Sequence, residues 1–198
     1  MTASAPLDDV IGGKTSVRVL RVLSLFPEKE FTGRQLAQMA GGAPSKVIQE
    51  LGRLREAGIV TRQTHGRTHA WRANREHVVF RLLRPAFEAE RDLPGVMLAT
   101  LRKGVRDERV TRAILFGSFA RGDETARSDV DLLVLTRRAS DVEDVRKRLD
   151  HLAIRLGERF GAQLSAIVHP ESDLPRLRKT ALLGNVRAEG RVLRGDMP

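Results

Sequence analysis

At 198 residues, with 41% hydrophobic and 30% charged side chains, the chain has the composition of an ordinary soluble protein, with room for one large core or two small ones. It contains no cysteine, which excludes disulfides, thiol catalysis and cysteine-held zinc or iron–sulfur sites, and its five scattered histidines argue against an imidazole metal site. No apolar run reaches the length of a membrane span, and the opening MTASAPLDDVIGG lacks a basic flank followed by an apolar stretch, so a cytoplasmic location without membrane attachment is expected.

The formal charge of +10 points to a polyanionic partner where it is concentrated. Residues 1–95 hold 15 Lys/Arg against 10 Asp/Glu, and residues 43–75 carry that whole excess: Lys46, Arg53, Arg55, Arg62, Arg67, Arg72 and Arg75 against Glu50 and Glu56.

In chain order, the dense apolar run from Ser16 to Phe26 predicts a largely buried first helix that Pro27 ends. A second, short helix follows Thr32 as N-cap and closes on Gly41 and Gly42, with Leu36 and Met39 turned toward the first. A third begins near Ala43-Pro44-Ser45, where proline suits a first turn. Its Val47, Ile48, Leu51 and Leu54 face inward, which leaves Ser45, Lys46, Gln49 and Arg53 outward. After Gly58, Ile59–Thr64 and Thr68–Arg72 flank His65-Gly66-Arg67 as strand, turn and strand, presenting Arg62, His65, Arg67 and His69, with Trp71 anchoring the hairpin to the core.

Three helices and a basic hairpin make a winged helix-turn-helix. The stretch SKVIQELGRLREAGIVTRQTHGRTHAWR resembles the MarR-like and ArsR-like winged-helix regulators. The resemblance implies binding to double-stranded DNA, with Ser45, Lys46, Gln49 and Arg53 at base edges and phosphates and Arg62 and Arg67 on the backbone or minor groove. Winged helices also serve as protein-docking modules, and the sequence leaves that reading open.

A bent helix is expected from His77 to Arg91, interrupted at Pro85, then a linker at Asp92-Leu93-Pro94-Gly95 and a second helix from Val96 to Arg109. Val78, Val79, Leu82 and Leu83 form an apolar ridge that suits a homodimer.

Further on, TRAILFG reads as a strand ended by Gly117, and DVDLLVLT as a second strand opened by Asp129. Between them run Gly117-Ser118, ten residues and Asp129-Val130-Asp131. A glycine at a strand end lets the backbone lie against a ligand, Ser118 offers a hydroxyl and an amide, and Arg121 can add charge beside phosphates. Asp129 and Asp131 alternate with Val130, so both carboxylates leave the strand on one face, a donor set suited to Mg²⁺ or Mn²⁺ with substrate phosphates. The Gly41-Gly42-Ala43-Pro44-Ser45-Lys46 run lacks the spacing of a P-loop.

AILFGSFARGDETARSDVDLLVLT resembles the DNA polymerase beta nucleotidyltransferase superfamily, in particular its minimal stand-alone domains. The resemblance implies that Gly117 and Ser118 hold the phosphates of an NTP and that Asp129 and Asp131 hold the metal for in-line attack on the α-phosphate. Active members commonly carry a third carboxylate on a later strand. Here GAQLSAIVHPESD puts Gln163 and Ser165 at the expected positions, while Glu171 and Asp173 fall past Pro170, at the start of the next helix. A helix from Ser140 to Arg159 precedes that strand, and a helix over Leu174–Leu183 and an edge strand over Arg191–Arg194 follow it. The ending RAEGRVLRG resembles the close of small nucleotidyltransferase domains.

The expected fold is α+β: a winged helix over residues 1–76, a helical connector over 77–95, and a small mixed-sheet nucleotidyltransferase domain over 96–198. Two functions stay open. One is an Mg²⁺-dependent enzyme that moves a nucleotide from an NTP to a hydroxyl of a protein, a nucleic acid or a small molecule, with a protein acceptor or a toxin or antitoxin among its candidate partners. The other is a transcriptional regulator whose second domain binds nucleotide without turnover.

Overall fold

The computed structural model describes residues 7–10, 12–122 and 129–198, which belong to two units, Ala5–Asp92 and Leu93–Pro198. The first holds α1 (Leu7–Val10), α2 (Lys14–Leu25), β1 (Phe31–Thr32), α3 (Gly33–Ala40), α4 (Pro44–Glu56), β2 (Val60–His65) and β3 (Thr68–Ala73). Its three strands form an antiparallel sheet in the order β1-β3-β2, and together with α2, α3 and α4 they make a winged helix-turn-helix.

Local chemistry accounts for its boundaries. Thr32 Oγ1 accepts from the Gln35 amide at 3.2 Å while Gln35 Oε1 accepts from the Thr32 amide at 2.8 Å, a reciprocal cap that starts α3. Pro44 occupies the first turn of α4, where its missing N–H costs nothing. Gly66, at φ 60°, gives the wing's two-residue loop the positive φ it needs. Val47, Leu51 and Leu54 of α4 pack with Val19, Leu23, Leu36 and Trp71 in one buried cluster, each such side chain contributing about 1.5–3 kcal/mol of hydrophobic free energy.

Two expected core residues lie outside it. Met39 is 47% exposed because the buried row of α3 runs through Leu36, Ala37 and Ala40. Ile48 is 53% exposed on the shoulder of α4, where it covers Gly33.

A larger departure concerns the connector. Val78–Gly104 is a single 27-residue helix, α5, that runs through Pro85 and through the expected linker at Asp92–Gly95. Tertiary packing overrides the local breakers: Phe80 and Phe87 belong to the core of the first unit, Met97 and Leu101 to that of the second. Between them Glu90, nearly buried, accepts from Arg21 Nε at 2.6 Å and from the Leu7 amide at 2.9 Å. Arg21 also bonds Asp8 at 2.6 Å, so the buried acid has a fully used cationic partner.

The second unit adds β4 (Val110–Phe116), α6 (Ser118–Arg121), β5 (Val130–Thr136), α7 (Val142–Phe160), β6 (Leu164–Pro170), α8 (Leu174–Leu177), α9 (Ala181–Glu189) and β7 (Arg191–Arg194) to the end of α5. Its mixed sheet has the order β6-β5-β4-β7, with β5 and β6 parallel and the other pairs antiparallel. Strand alternation sends Ala113, Leu115, Val130, Leu132 and Val134 to a core shared with α5 and α7, and Ile114, Phe116, Leu133 and Leu135 to one shared with α8 and α9. The helix expected over Leu174–Leu183 is two helices with a break at residues 178–180. Among the described residues no helix is long and apolar enough to cross a membrane.

Candidate functional site

Phe116 pairs with Asp131, so the chain leaves β4 at Gly117 beside the point where it enters β5. Gly117 has φ 75° and ψ −161°, a backbone only glycine adopts readily. A Cβ built there would also collide with the Asp131 carboxylate at Oδ2. The glycine thus serves Asp131 as well as the open approach that the sequence suggests.

Val130 is buried toward α5 and α7, which turns Asp131 to the opposite face of the sheet, the side covered by α8 and α9. Asp131 is half-buried and Asp129, just before β5, is exposed. Among the described residues neither carboxylate has a hydrogen-bond or cationic partner. Burial pushes the Asp131 carboxyl above its ordinary value, and the negative charges of Asp129 and Glu189 add to the rise. Two hard-oxygen groups crowded with no counter-charge among the described residues are a donor set that suits a divalent cation. Among the described residues no set of three or more His, Asp or Glu is placed to hold a metal ion.

Ser118 opens α6, a helix of four residues, and is half-buried. Arg121, expected beside phosphates, ion-pairs with Glu189. The same glutamate accepts from the Gly117 amide at 3.1 Å. Spacer residues 123–128 lie outside the described residues.

On the other side of β5, Asp131 is in register with Ser165 of β6, and the Val130 amide bonds the Gln163 carbonyl at 2.8 Å. A neutral hydroxyl therefore stands next to Asp131 where a third carboxylate was sought. Glu171 and Asp173 lie past the far end of β6. Glu171 pairs with Arg112 at 3.0 Å and Asp173 with His169 at 3.2 Å, so both are engaged elsewhere.

In the first unit, Ser45, Lys46, Gln49 and Arg53 are all exposed on α4. Arg53 is held by Glu50 at 3.0 Å, and Glu50 in turn accepts from Ser16 Oγ at 2.6 Å, which draws its carboxyl below the ordinary value. On the wing Arg67 is exposed, His65 and His69 likewise, and Arg62 lies over the Trp71 ring with its guanidinium carbon 5.7 Å from the centroid. Trp71 is buried, as an anchor of the wing.

The family model for the nucleotidyltransferase domain matches residues 98–188. Two relatives from Methanocaldococcus jannaschii both carry the provisional name of protein adenylyltransferase. One is 39% identical over 85 residues, 43% of this chain and 79% of the relative. The other is 32% identical over 63 residues, 32% of this chain and 59% of the relative. The chain belongs to the nucleotidyltransferase family. Among solved structures it is similar to a toxin–antitoxin complex with AMP-PNP, at 22% identity over 50% of this chain and 73% of that one, TM-score 0.37. A MarR-family transcriptional regulator from Silicibacter pomeroyi DSS-3 gives 23% identity over 51% and 74%, TM-score 0.40. At these scores the likeness is slight, and membership rests on the sequence matches.

Within this nucleotidyltransferase, Glu189 goes unmarked in the sequence although it touches the Gly117 turn. The available signal is the Glu-Gly pair in RAEGRVLRG: a Cβ on Gly190 would strike the Val186 carbonyl and sit 2.7 Å from Ile114 Cγ2. The chain crosses β4 closely there, and Glu189 is the last residue before the crossing.

Proposed function

We propose that this nucleotidyltransferase moves AMP from ATP to a hydroxyl of a protein acceptor, and that its winged helix binds double-stranded DNA. The observation that carries the first part is the packing of Gly117 against Asp131, which puts a side-chain-free turn beside two aspartates that have no cationic partner among the described residues. The nucleotide and the acceptor class follow the provisional names of the two archaeal relatives. The toxin or antitoxin expected from the sequence is one such acceptor.

In this reading the Gly117 amide, Ser118 and Arg121 hold the triphosphate, and Asp129 and Asp131 would hold Mg²⁺ or Mn²⁺. The bound cation supplies charge neutralisation to the phosphates. The acceptor oxygen attacks the α-phosphorus, the bond from that phosphorus to the bridging oxygen breaks, and pyrophosphate leaves with the electron pair. The proton of the acceptor hydroxyl passes to solvent, since Ser165 beside Asp131 is no base. The nucleotide-sensor reading rests on that same serine, and family membership weighs against it. Transfer of labelled AMP to protein, lost when both aspartates are removed, is the test.

For the DNA part, the support is one exposed polar face on α4 and a basic wing. Val78 and Leu82, 64% and 72% exposed on α5, suit a homodimer interface, which sedimentation of a Leu82→Glu variant tests.

A further inference from the structure

We infer that Glu189 is a built-in stand-in for substrate phosphate: its carboxylate occupies the Gly117 amide and the Arg121 guanidinium until a nucleotide displaces it. This rests on the proposed role of those two groups as phosphate donors.

Three features converge on it. One oxygen of Glu189 accepts from the Gly117 N–H at 3.1 Å and the other pairs with Arg121, so a single carboxylate takes both a turn amide and a cation, the same pair of donors an oxyanion of phosphate would use. Its position is enforced by Gly190, where the chain passes too close to Val186 and Ile114 for any side chain. Glu189 also faces like charge, lying within electrostatic reach of Asp131, and among the described residues the donors at Gly117 and Arg121 offset it. Binding of a magnesium nucleotide is then an exchange of anions: phosphate takes the two donors, and the cation removes the repulsion that Asp129 and Asp131 impose. Glu189 acts as a positioning residue, holding the amide and the guanidinium aimed into the site and raising the threshold for nucleotide entry.

Inorganic triphosphate with Mg²⁺ is the probe, since it needs no matching base. Calorimetry on the full chain compares wild type with Glu189→Gln and Glu189→Ala, alongside melting curves without ligand. Both variants are expected to bind about three- to tenfold tighter, the gain from losing one partly exposed charged competitor. Glu189→Gln keeps the shape and the bond to Gly117, so it answers the question if Glu189→Ala does not fold. Equal or weaker binding by the variants, with wild type binding, overturns the inference, and weaker binding specifically would make Glu189 a ligand of the cation. Failure of wild type and variants alike to bind overturns the phosphate role of Gly117 and this inference with it.

Discussion

Gly117 and Asp131 interlock: the glycine at the end of β4 has no side chain because the carboxylate at the start of β5 fills that space. Gly117→Ala therefore carries two penalties, a residue forced to φ 75° and a displaced Asp131. Gly122 has φ 77° and, among the described residues, nothing within 4 Å of its Cβ position, so Gly122→Ala is expected to carry the backbone penalty alone. Both variants are expected to lose about 1–3 kcal/mol in thermal melts, and only Gly117→Ala to lose nucleotide transfer, on the order of 10²-fold.

Asp131 costs stability in the protein without ligand. Its carboxyl is raised by burial and by neighbouring negative charge, so folding favours the protonated form and ionisation at neutral pH opposes it. Asp131→Asn is predicted to raise the melting temperature at pH 7 while lowering transfer by about 10²-fold or more. A variant that is less stable than wild type would show that the carboxylate has a cationic partner after all.

Asp107 behaves in the opposite sense. Hydrogen bonds from Arg109 hold it down to about 2, from an ordinary 3.8. A depressed carboxylate contributes stability above its unfolded value that is lost as pH falls toward its folded value, here between about pH 4 and pH 2. Asp107→Asn should cost about 1–2 kcal/mol at pH 7, with the difference from wild type closing near pH 2. Melting curves across that range measure it.

Lys46→Ala and Arg67→Ala should each weaken duplex binding and reduce the slope of log affinity against log salt by about 1. Arg53→Ala should do less, because Glu50 already holds that guanidinium. Anisotropy titrations at several salt concentrations read both quantities, and unchanged affinity for Lys46→Ala and Arg67→Ala would assign the winged helix to protein docking.

What the sequence displays well is chemistry written in adjacent residues. The Thr32 cap, Pro44 at the start of α4, the turn at Gly66 and the edge strand Arg191–Arg194 are local, and they stand where the pattern places them. The same holds for Gly117 and the alternation about Val130. What it hides depends on partners far along the chain. β1 is two residues that form a strand only because Phe31 finds Trp71. α5 runs through Pro94-Gly95 because Phe87 and Met97 are each buried in a core. Glu189 joins the site across 72 residues, and no spacing rule anticipates that bond.

The most direct test of the central claim is transfer of label from ATP carrying it on the α-phosphate, with Mg²⁺ or Mn²⁺ and cell lysate, for wild type and for Asp129→Ala with Asp131→Ala. Labelled protein and released pyrophosphate are expected with wild type, and neither with the double variant. Tight metal-dependent ATP binding by wild type with no label transferred to any protein would contradict it.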